Sequence, residues 1–340
     1  MRRSLFPLVV SFGLVTSLGS STAVSLGNVA SLQSAGKSST ASLKGRFVGT
    51  WKLVNIEQRN AKGDVIPPAA SAASGNPNRT GYIIYDPAGY VAVSIMPVGR
   101  KKNAGPQATD EEAKAAIAGY AAYFGTFTIN EAEGSVTHHL QGSLSPGMAA
   151  DQKRFFEFSG NRLTLKPPAA ANGNQTRLTW ERIPDMANMT AEQRRFVGFW
   201  KLVSNERRDE KGAVVGSNPG QTGYIIYTSA GFMMVHMVQP DRKPQVGAQP
   251  TAAEAGQEIR TYTNYFGPFY VHEADGYVVH DQVGTLNMGR NGPSPQQRFY
   301  QMPGKRLLLR PPATYTPDGH TIQGTITWER VDGDGDKGTP

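Results

Sequence analysis

The sequence predicts an all-β protein: two tandem eight-stranded antiparallel β-barrels, each with one inserted α-helix. Three observations carry that reading, namely a repeat that spans nearly the whole chain, eight strand-like runs in each copy, and one helix signal at the same place in both. The repeat comes first because it sets the domain count. Phe47-Val48-Gly49-Thr50-Trp51-Lys52-Leu53-Val54 returns as Phe196-Val197-Gly198-Phe199-Trp200-Lys201-Leu202-Val203. Gly81-Tyr82-Ile83-Ile84-Tyr85 returns as Gly223 to Tyr227, Tyr123-Phe124-Gly125 as Tyr265-Phe266-Gly267, and Thr179-Trp180-Glu181-Arg182 as Thr327-Trp328-Glu329-Arg330. The order is collinear. A period near 145 residues is far longer than a solenoid unit, so each copy is a whole domain. The boundaries are then 1–23 signal peptide, 24–45 Ser/Ala/Gly-rich linker, 46–184 first barrel, 185–193 linker, 194–332 second barrel and 333–340 tail.

In copy one the strand-like runs cover about 47–58, 80–86, 89–96, 125–131, 135–143, 152–158, 162–166 and 176–183, each bounded by Gly, Pro or Asn. Several alternate with period two, Phe47, Gly49, Trp51 and Leu53 on one face and Leu178, Trp180 and Arg182 on one face. Asp86-Pro87-Ala88-Gly89 and Glu133-Gly134 are turn sequences that pair neighbouring strands antiparallel. The helix begins at Thr109-Asp110-Glu111-Glu112 and again at Thr251-Ala252-Ala253-Glu254, both capping boxes. Ala113, Ile117, Tyr120 and Phe124 then fall at helical spacing, as do Ala255, Ile259, Tyr262 and Phe266, with Gly125 or Gly267 as terminator. Eight meandering strands are best satisfied by closure, which abolishes exposed edges and leaves room for one small ligand. The capped helix is expected to gate that space.

Composition narrows the function classes. The formal charge of +8 falls to +6 once Arg2 and Arg3 leave with a signal peptide, and no Lys/Arg run interleaves with aromatics, so no nucleic-acid partner is expected. There are no cysteines, which excludes disulfides, thiolate metal sites, Cys nucleophiles and a lipidated N-terminal Cys. Met1-Arg2-Arg3 before the apolar run Leu5 to Leu18 reads as an export signal, shorter than the roughly 20 residues that span a bilayer. Ser21-Thr22-Ala23 places cleavage after Ala23, and the arginine pair leaves a twin-arginine signal open beside a general secretory one. A secreted or periplasmic protein with no integral membrane segment after cleavage is expected.

Gly49-Thr50-Trp51 and Gly198-Phe199-Trp200 resemble the Gly-x-Trp signature of lipocalins, and Arg182 and Arg330 sit where lipocalins carry a late Arg. The succession Trp-Lys-Leu-Val, Gly-Tyr-Ile-Ile-Tyr, Tyr-x-x-Tyr-Phe-Gly, Val-x-His, Arg-Phe and Trp-Glu-Arg is similar to the bacterial and fungal lipocalin-like domain family. The lipocalin Thr-Asp-Tyr motif is absent. The resemblance implies a lipocalin-like, calycin-type barrel whose late Arg stacks across the first-strand Trp at the closed end, a cation–π contact of about 0.5 to 2 kcal/mol. It implies no particular reaction.

Candidate ligand-binding residues are the polar groups present in both copies. Glu57 and Glu206 come six residues after Trp51 and Trp200, so a regular strand turns them inward, while a bulge puts them outside. Arg154 and Arg298 precede Phe156 and Tyr300 at even spacing and point inward with them. His138 and His280 come two residues after Val136 and Val278 and serve either as structural hydrogen-bonding groups or as ligand and proton partners. Tyr85, Tyr120 and Tyr123, with Tyr227, Tyr262 and Tyr265, supply hydroxyls to an apolar lining. His236 stands where copy one has Ser94, and Met234 and Met237 replace Ala92 and Ile95, which predicts two pockets of different shape. No three-ligand metal spacing survives in both copies, since His138-His139 becomes His280-Asp281, and neither metal nor cofactor is expected. Asp332-Gly-Asp334-Gly-Asp336 lacks the glycine and terminal Glu of a calcium loop.

The leading expectation is binding or carriage of a small hydrophobic or amphipathic ligand in each barrel. One rival is a cofactor-free isomerase or cyclase using His138/His280 or Glu57/Glu206 as acid or base with a Tyr electrophile. The other is an envelope or interaction protein whose barrels are filled by their own aromatics.

Overall fold

The computed structural model describes residues 42–67, 78–247, 249–290 and 292–331. The expected signal peptide, most of the first linker and the acidic tail lie outside them. Copy one runs α1 (Leu43–Phe47), β1 (Gly49–Arg59), β2 (Val65–Ile66), β3 (Arg79–Tyr85), β4 (Tyr90–Pro97), α2 (Asp110–Ile117), β5 (Ala121–Asn130), β6 (Ser135–Ser143), β7 (Asp151–Ser159), β8 (Arg162–Lys166) and β9 (Gln175–Ile183). Copy two runs α3 (Ala191–Phe196), β10 (Gly198–Asp209), β11 (Val214–Ser217), β12 (Thr222–Tyr227), β13 (Phe232–Val238), α4 (Ala252–Arg260), β14 (Tyr262–His272), β15 (Tyr277–Asp281), β16 (Gly284–Thr285), β17 (Pro295–Gln301), β18 (Arg306–Arg310), β19 (Thr314–Tyr315) and β20 (Thr321–Arg330). All neighbouring pairings are antiparallel, and β1–β9 and β10–β20 close two eight-stranded barrels; the short β2, β11, β16 and β19 pair beside them.

Closure is sealed at one end by residues from the chain before the first strand. Phe47 and Phe196, at the ends of α1 and α3, are fully buried. Phe47 meets Tyr85, Phe156 and Phe158 with ring centroids 5.0 to 5.2 Å apart, and Phe196 meets Tyr227 at 5.2 Å. Trp51 and Trp200 donate their indole N–H to the carbonyls of Phe47 and Phe196, both at 2.7 Å. Arg182 lies 4.3 Å over Trp51 and Arg330 4.2 Å over Trp200, and the two guanidiniums donate to the carbonyls of Val48 and Arg46 and of Val197 and Arg195. Gly49 and Gly198 have φ of +137° and +139°, and a Cβ there would meet the arginine Nη1 at 2.3 or 3.0 Å. That is why the motif opens on glycine.

The two helices expected to gate the barrels do something else. Their capping boxes form at Thr109/Glu112 and Thr251/Glu254, but α2 ends at Ile117 and α4 at Arg260. The helices pack on each other, with Arg260 Nη1 3.0 Å from Asp110 Oδ1. Tyr120 precedes β5, while Phe124 and Gly125 lie inside it. Gly125 and Gly267 are therefore not helix terminators: each sits where a Cβ would fall 1.9 or 1.8 Å from the carbonyl oxygen of His139 or Asp281 on the next strand. The ladder slips in register beside Gly125, and no side chain fits.

Between the barrels lies a third apolar core. The outer faces of β3–β5 and β12–β14, with α2, α4 and Phe199 of β10, bury Tyr82, Ile84, Phe124, Phe232 and Phe266. Contacts across it come in reciprocal pairs at the repeat offset of 142: Tyr82 with Phe232 at 4.2 Å and Tyr90 with Tyr224 at 5.3 Å. Arg100 donates to the carbonyls of Thr285 and Leu286, and its counterpart Arg242 donates to those of Ser143 and Leu144. One surface, used twice about a pseudo-twofold axis, is the geometry of an isologous dimer carried within one chain.

Candidate functional site

Within each barrel, the same cluster is assembled on the inner wall. β6 turns Val136 and His138 inward, opposite Arg154 and Gln152 of β7, and β15 turns Val278 and His280 inward, opposite Arg298 and Gln296 of β17. Tyr85 ends β3 at the closed side, and Tyr123 lies on β5 above Gly125. The fully buried His138 meets the Tyr85 hydroxyl with Nε2 at 2.8 Å and the Tyr123 hydroxyl with Nδ1 at 2.9 Å. In barrel 2 the fully buried His280 meets Tyr227 at 2.7 Å and Tyr265 at 3.1 Å through the same two atoms.

Burial dominates the electrostatics. It pulls His138 down to about 3, with Arg154 and His139 adding to the shift, and pulls His280 well below the usual histidine value, with Arg298 adding. Burial also raises Tyr85, Tyr123, Tyr227 and Tyr265, while Arg154 and Arg298 oppose the rise at the tyrosines of their own barrels. Both imidazoles are thus neutral at neutral pH, with one donor and one acceptor nitrogen. Among the described residues the Tyr85 hydroxyl, 1% exposed among Phe47 and Phe127, bonds only to Nε2. Its proton must go there, because a donor left unpaired in that aromatic nest costs about 1–3 kcal/mol. Nδ1–H then donates to Tyr123, whose oxygen also meets Arg154, and the Tyr123 proton faces the lumen. The same order places the Tyr265 proton in the lumen of barrel 2.

Arg154 is braced by its own strand, donating to Gln152 Oε1 at 3.0 Å and the Lys153 carbonyl at 2.7 Å. Arg298 does the same with Gln296 and Gln297. Neither has a carboxylate partner among the described residues. Higher on the wall, Ile56, Leu140, Met148 and Leu178 of barrel 1 and Ile326 of barrel 2 face inward yet stay half-buried.

Other candidates lie elsewhere. Glu57 and Glu206 are on the outer faces: a bulge at Val54 or Val203 inserts one residue after Leu53 or Leu202 and flips the parity of the rest of the strand. Glu57 pairs with Arg59 at 2.7 Å and Arg177 at 3.6 Å, and Glu206 with Arg208 at 2.6 Å. Tyr120, Tyr262 and His236 belong to the inter-barrel core. Tyr120 and Tyr123 are three apart, so extended backbone sends them to opposite faces, and His236 lies between inward-facing Val235 and Met237. There Asn264 Oδ1 accepts from Tyr120 at 2.6 Å and from Ser94 at 3.1 Å, while His236 meets Tyr262 at 2.8 Å and Ser94 at 3.5 Å. Ser94 and His236 therefore do not distinguish two pockets; they face each other. A cleft of about 380 Å³ opens beside this network, lined by Ile259, Tyr262, Asn264, Tyr265 and Thr285.

Sequence reasoning passed over Gln152, Gln296 and Asn264, and read Trp180 and Trp328 only as strand markers. It also missed α1 and α3, although Thr190-Ala191-Glu192-Gln193 is a capping box in plain sight. Among the described residues no three His, Asp or Glu side chains converge as a metal would require.

The model of the lipocalin-like domain family matches residues 48–183 and 197–331. Among solved structures, the chain is similar to a protein of unknown function from Nostoc punctiforme, at 12% identity over 84% of this chain and 97% of that one, with a TM-score of 0.22. It is also similar to a putative outer membrane protein of Bacteroides fragilis, at 7% identity over 84% and 99%, TM-score 0.22. A transferrin binding protein B mutant of Haemophilus parasuis aligns at 8% identity over 83% and 76%, TM-score 0.22. Likeness that low transfers nothing to this chain. No curated protein matches it. Both halves satisfy the same family model, and the chain therefore belongs to the lipocalin-like domain family, once in each barrel.

Proposed function

We propose that the protein is an exported binding protein in which each barrel holds one small, mostly apolar molecule, with Tyr123, His138 and Arg154 orienting it in the first and Tyr265, His280 and Arg298 in the second. The observation that carries this is the division of the inner wall: aromatics fill the closed end, while above them an ordered polar cluster faces apolar residues that stay half-exposed, as the wall of an open cup does. The histidines support binding over catalysis. Each has both nitrogens engaged by tyrosines and is held neutral, and the carboxylates that could have acted as acid or base lie outside. The export signal read in the sequence supports a place in the periplasm or outside the cell, and no helix among the described residues is long and apolar enough to cross a membrane.

Native mass spectrometry of the protein purified from its own host tests the reading. The expected result is one or two copies of a small molecule per chain, lost on mild unfolding. Empty barrels, together with no enhancement of an environment-sensitive naphthalene probe, would sink it.

A further inference from the structure

We infer that each lumen selects a carboxylate carried on a small apolar body that bears a second oxygen acceptor; this rests on the lumens being the binding sites proposed above. The first support is a pair of indoles. Trp180 and Trp328 are both 1% exposed and face inward, and the Nε1 of each has no hydrogen-bond partner among the described residues. Buried donors are almost always satisfied, and the other tryptophan of each barrel is, through Phe47 or Phe196. The same unpaired donor at equivalent positions of two diverged copies is a property of the site.

The arginine and tyrosine of each cluster add two more donors. Arg154 and Arg298 are held by neighbours on their own strands and lack a carboxylate partner among the described residues. Tyr123 and Tyr265 direct a hydroxyl proton into the lumen once the histidine tautomer is fixed. The nearby acids Glu57, Glu157, Glu181, Glu206 and Glu329 pair with Arg or Lys on outer faces, and at the closed end of barrel 2 the buried Glu192 is engaged by Arg195 and Tyr300. A lumen lined by guanidinium, phenol and indole, with its glutamine oxygens already engaged by the arginines, matches a ligand that only accepts. A carboxylate takes the guanidinium and the tyrosine together. The indole is deeper: Trp180 pairs through Leu163 with Phe158, two inward positions past Arg154 toward the closed end. The nitrogen is enclosed by its neighbours in this structure, so it meets the second oxygen only as the ligand's body displaces the side chains over it.

Three probes with one apolar body separate the possibilities: 6-methoxy-2-naphthoate, the matching alcohol and the matching methylammonium, titrated into the full exported chain. The expected order is acid tightest, at least tenfold over the alcohol, with the cation weakest. In ¹⁵N-labelled protein the indole signals of Trp180 and Trp328 should shift on saturation with the acid, while those of Trp51 and Trp200 hold. Arg154→Gln combined with Arg298→Gln should abolish the preference for acid over alcohol, bringing the two affinities to within about twofold of each other, and Arg→Lys at both should restore part of it. Equal binding of acid and alcohol by the unaltered protein overturns this inference but leaves carriage standing. Failure of all three probes to bind removes carriage as well. If the glutamine variants do not fold, the ranking on the unaltered protein and the indole shifts decide.

Discussion

The inner walls of the two barrels and the surfaces through which the barrels meet were made from the same repeated sequence, yet they have diverged differently. Inside, Tyr85, Tyr123, His138 and Arg154 correspond one for one to Tyr227, Tyr265, His280 and Arg298, with the same atoms bonded. At the meeting surface the aromatic frame is reciprocal, but its centre is not: Ser94 faces His236, and Ala122 stands where copy two has Asn264. The polar groups inside the barrels thus match between copies, as do Arg100/Arg242 and Tyr120/Tyr262 around the meeting surface. The pairs that differ lie at the centre of that surface, where each residue faces the other copy.

The shared core should give the largest effect. Phe266→Ala removes a fully buried ring and should cost about 3–5 kcal/mol in urea unfolding. Because that ring belongs to both barrels, their signals should vanish in one transition; two transitions, with barrel 1 unaffected, would show the core is not shared. Next, Arg100→Ala and Arg242→Ala should each cost about 1.5–3 kcal/mol, the range for charged hydrogen bonds, and should agree with one another if the pseudo-twofold is real.

Acid is a finer probe. Burial holds His236 at about 3 in the folded protein, so between pH 6.5 and that value the unfolded chain binds the extra proton and stability falls as pH falls. The limiting slope is about 1.4 kcal/mol per pH unit for each such histidine. His236→Gln should flatten the wild-type slope by one histidine's share while leaving stability above pH 7 less pH-dependent than below; an unchanged slope refutes the burial of a neutral imidazole there. The smallest effect tests the proton order inside barrel 1. Tyr85→Phe strands the Nε2 acceptor and Tyr123→Phe the Nδ1–H donor, so each should cost about 1 kcal/mol, the low end for an unpaired buried group. In ¹⁵N-labelled protein the imidazole proton of His138 should sit on Nδ1; a proton found on Nε2 would invert the tautomer, and with it the donor turned to the lumen.

Most of the barrel was legible because strands advertise themselves by period two and by turn residues. The runs read at 135–143 and 162–166 are β6 and β8 to the residue. What failed was parity. One bulged residue, Val54, exposed at 45%, moved Glu57 from the expected inner face to the outer, and nothing in the spacing of Trp51 and Glu57 marks it. Helical spacing through Tyr120 and Phe124 was read across a segment that is already strand. The shared core did leave a trace: Gly81 to Tyr85 and Phe232 to Met237 do not alternate, and strands wet on one side should. Their uniform apolarity reports burial on both faces, but whether a helix or another barrel covers the outer one is not written in the strand itself.

The Ser94–His236 contact at the axis has a further consequence. Two identical subunits related by a true twofold can place only like against like where the axis passes: two hydroxyls, or two imidazoles crowding each other. Joining the copies in one gene lifts that restriction, since each side of the axis is then a separate codon. A small residue can face a large one, and an amide can appear on one side only, as Asn264 does to accept from both Ser94 and Tyr120. Such a centre is open to a fused pair and closed to a homodimer, so the fusion itself becomes something the packed core now depends on.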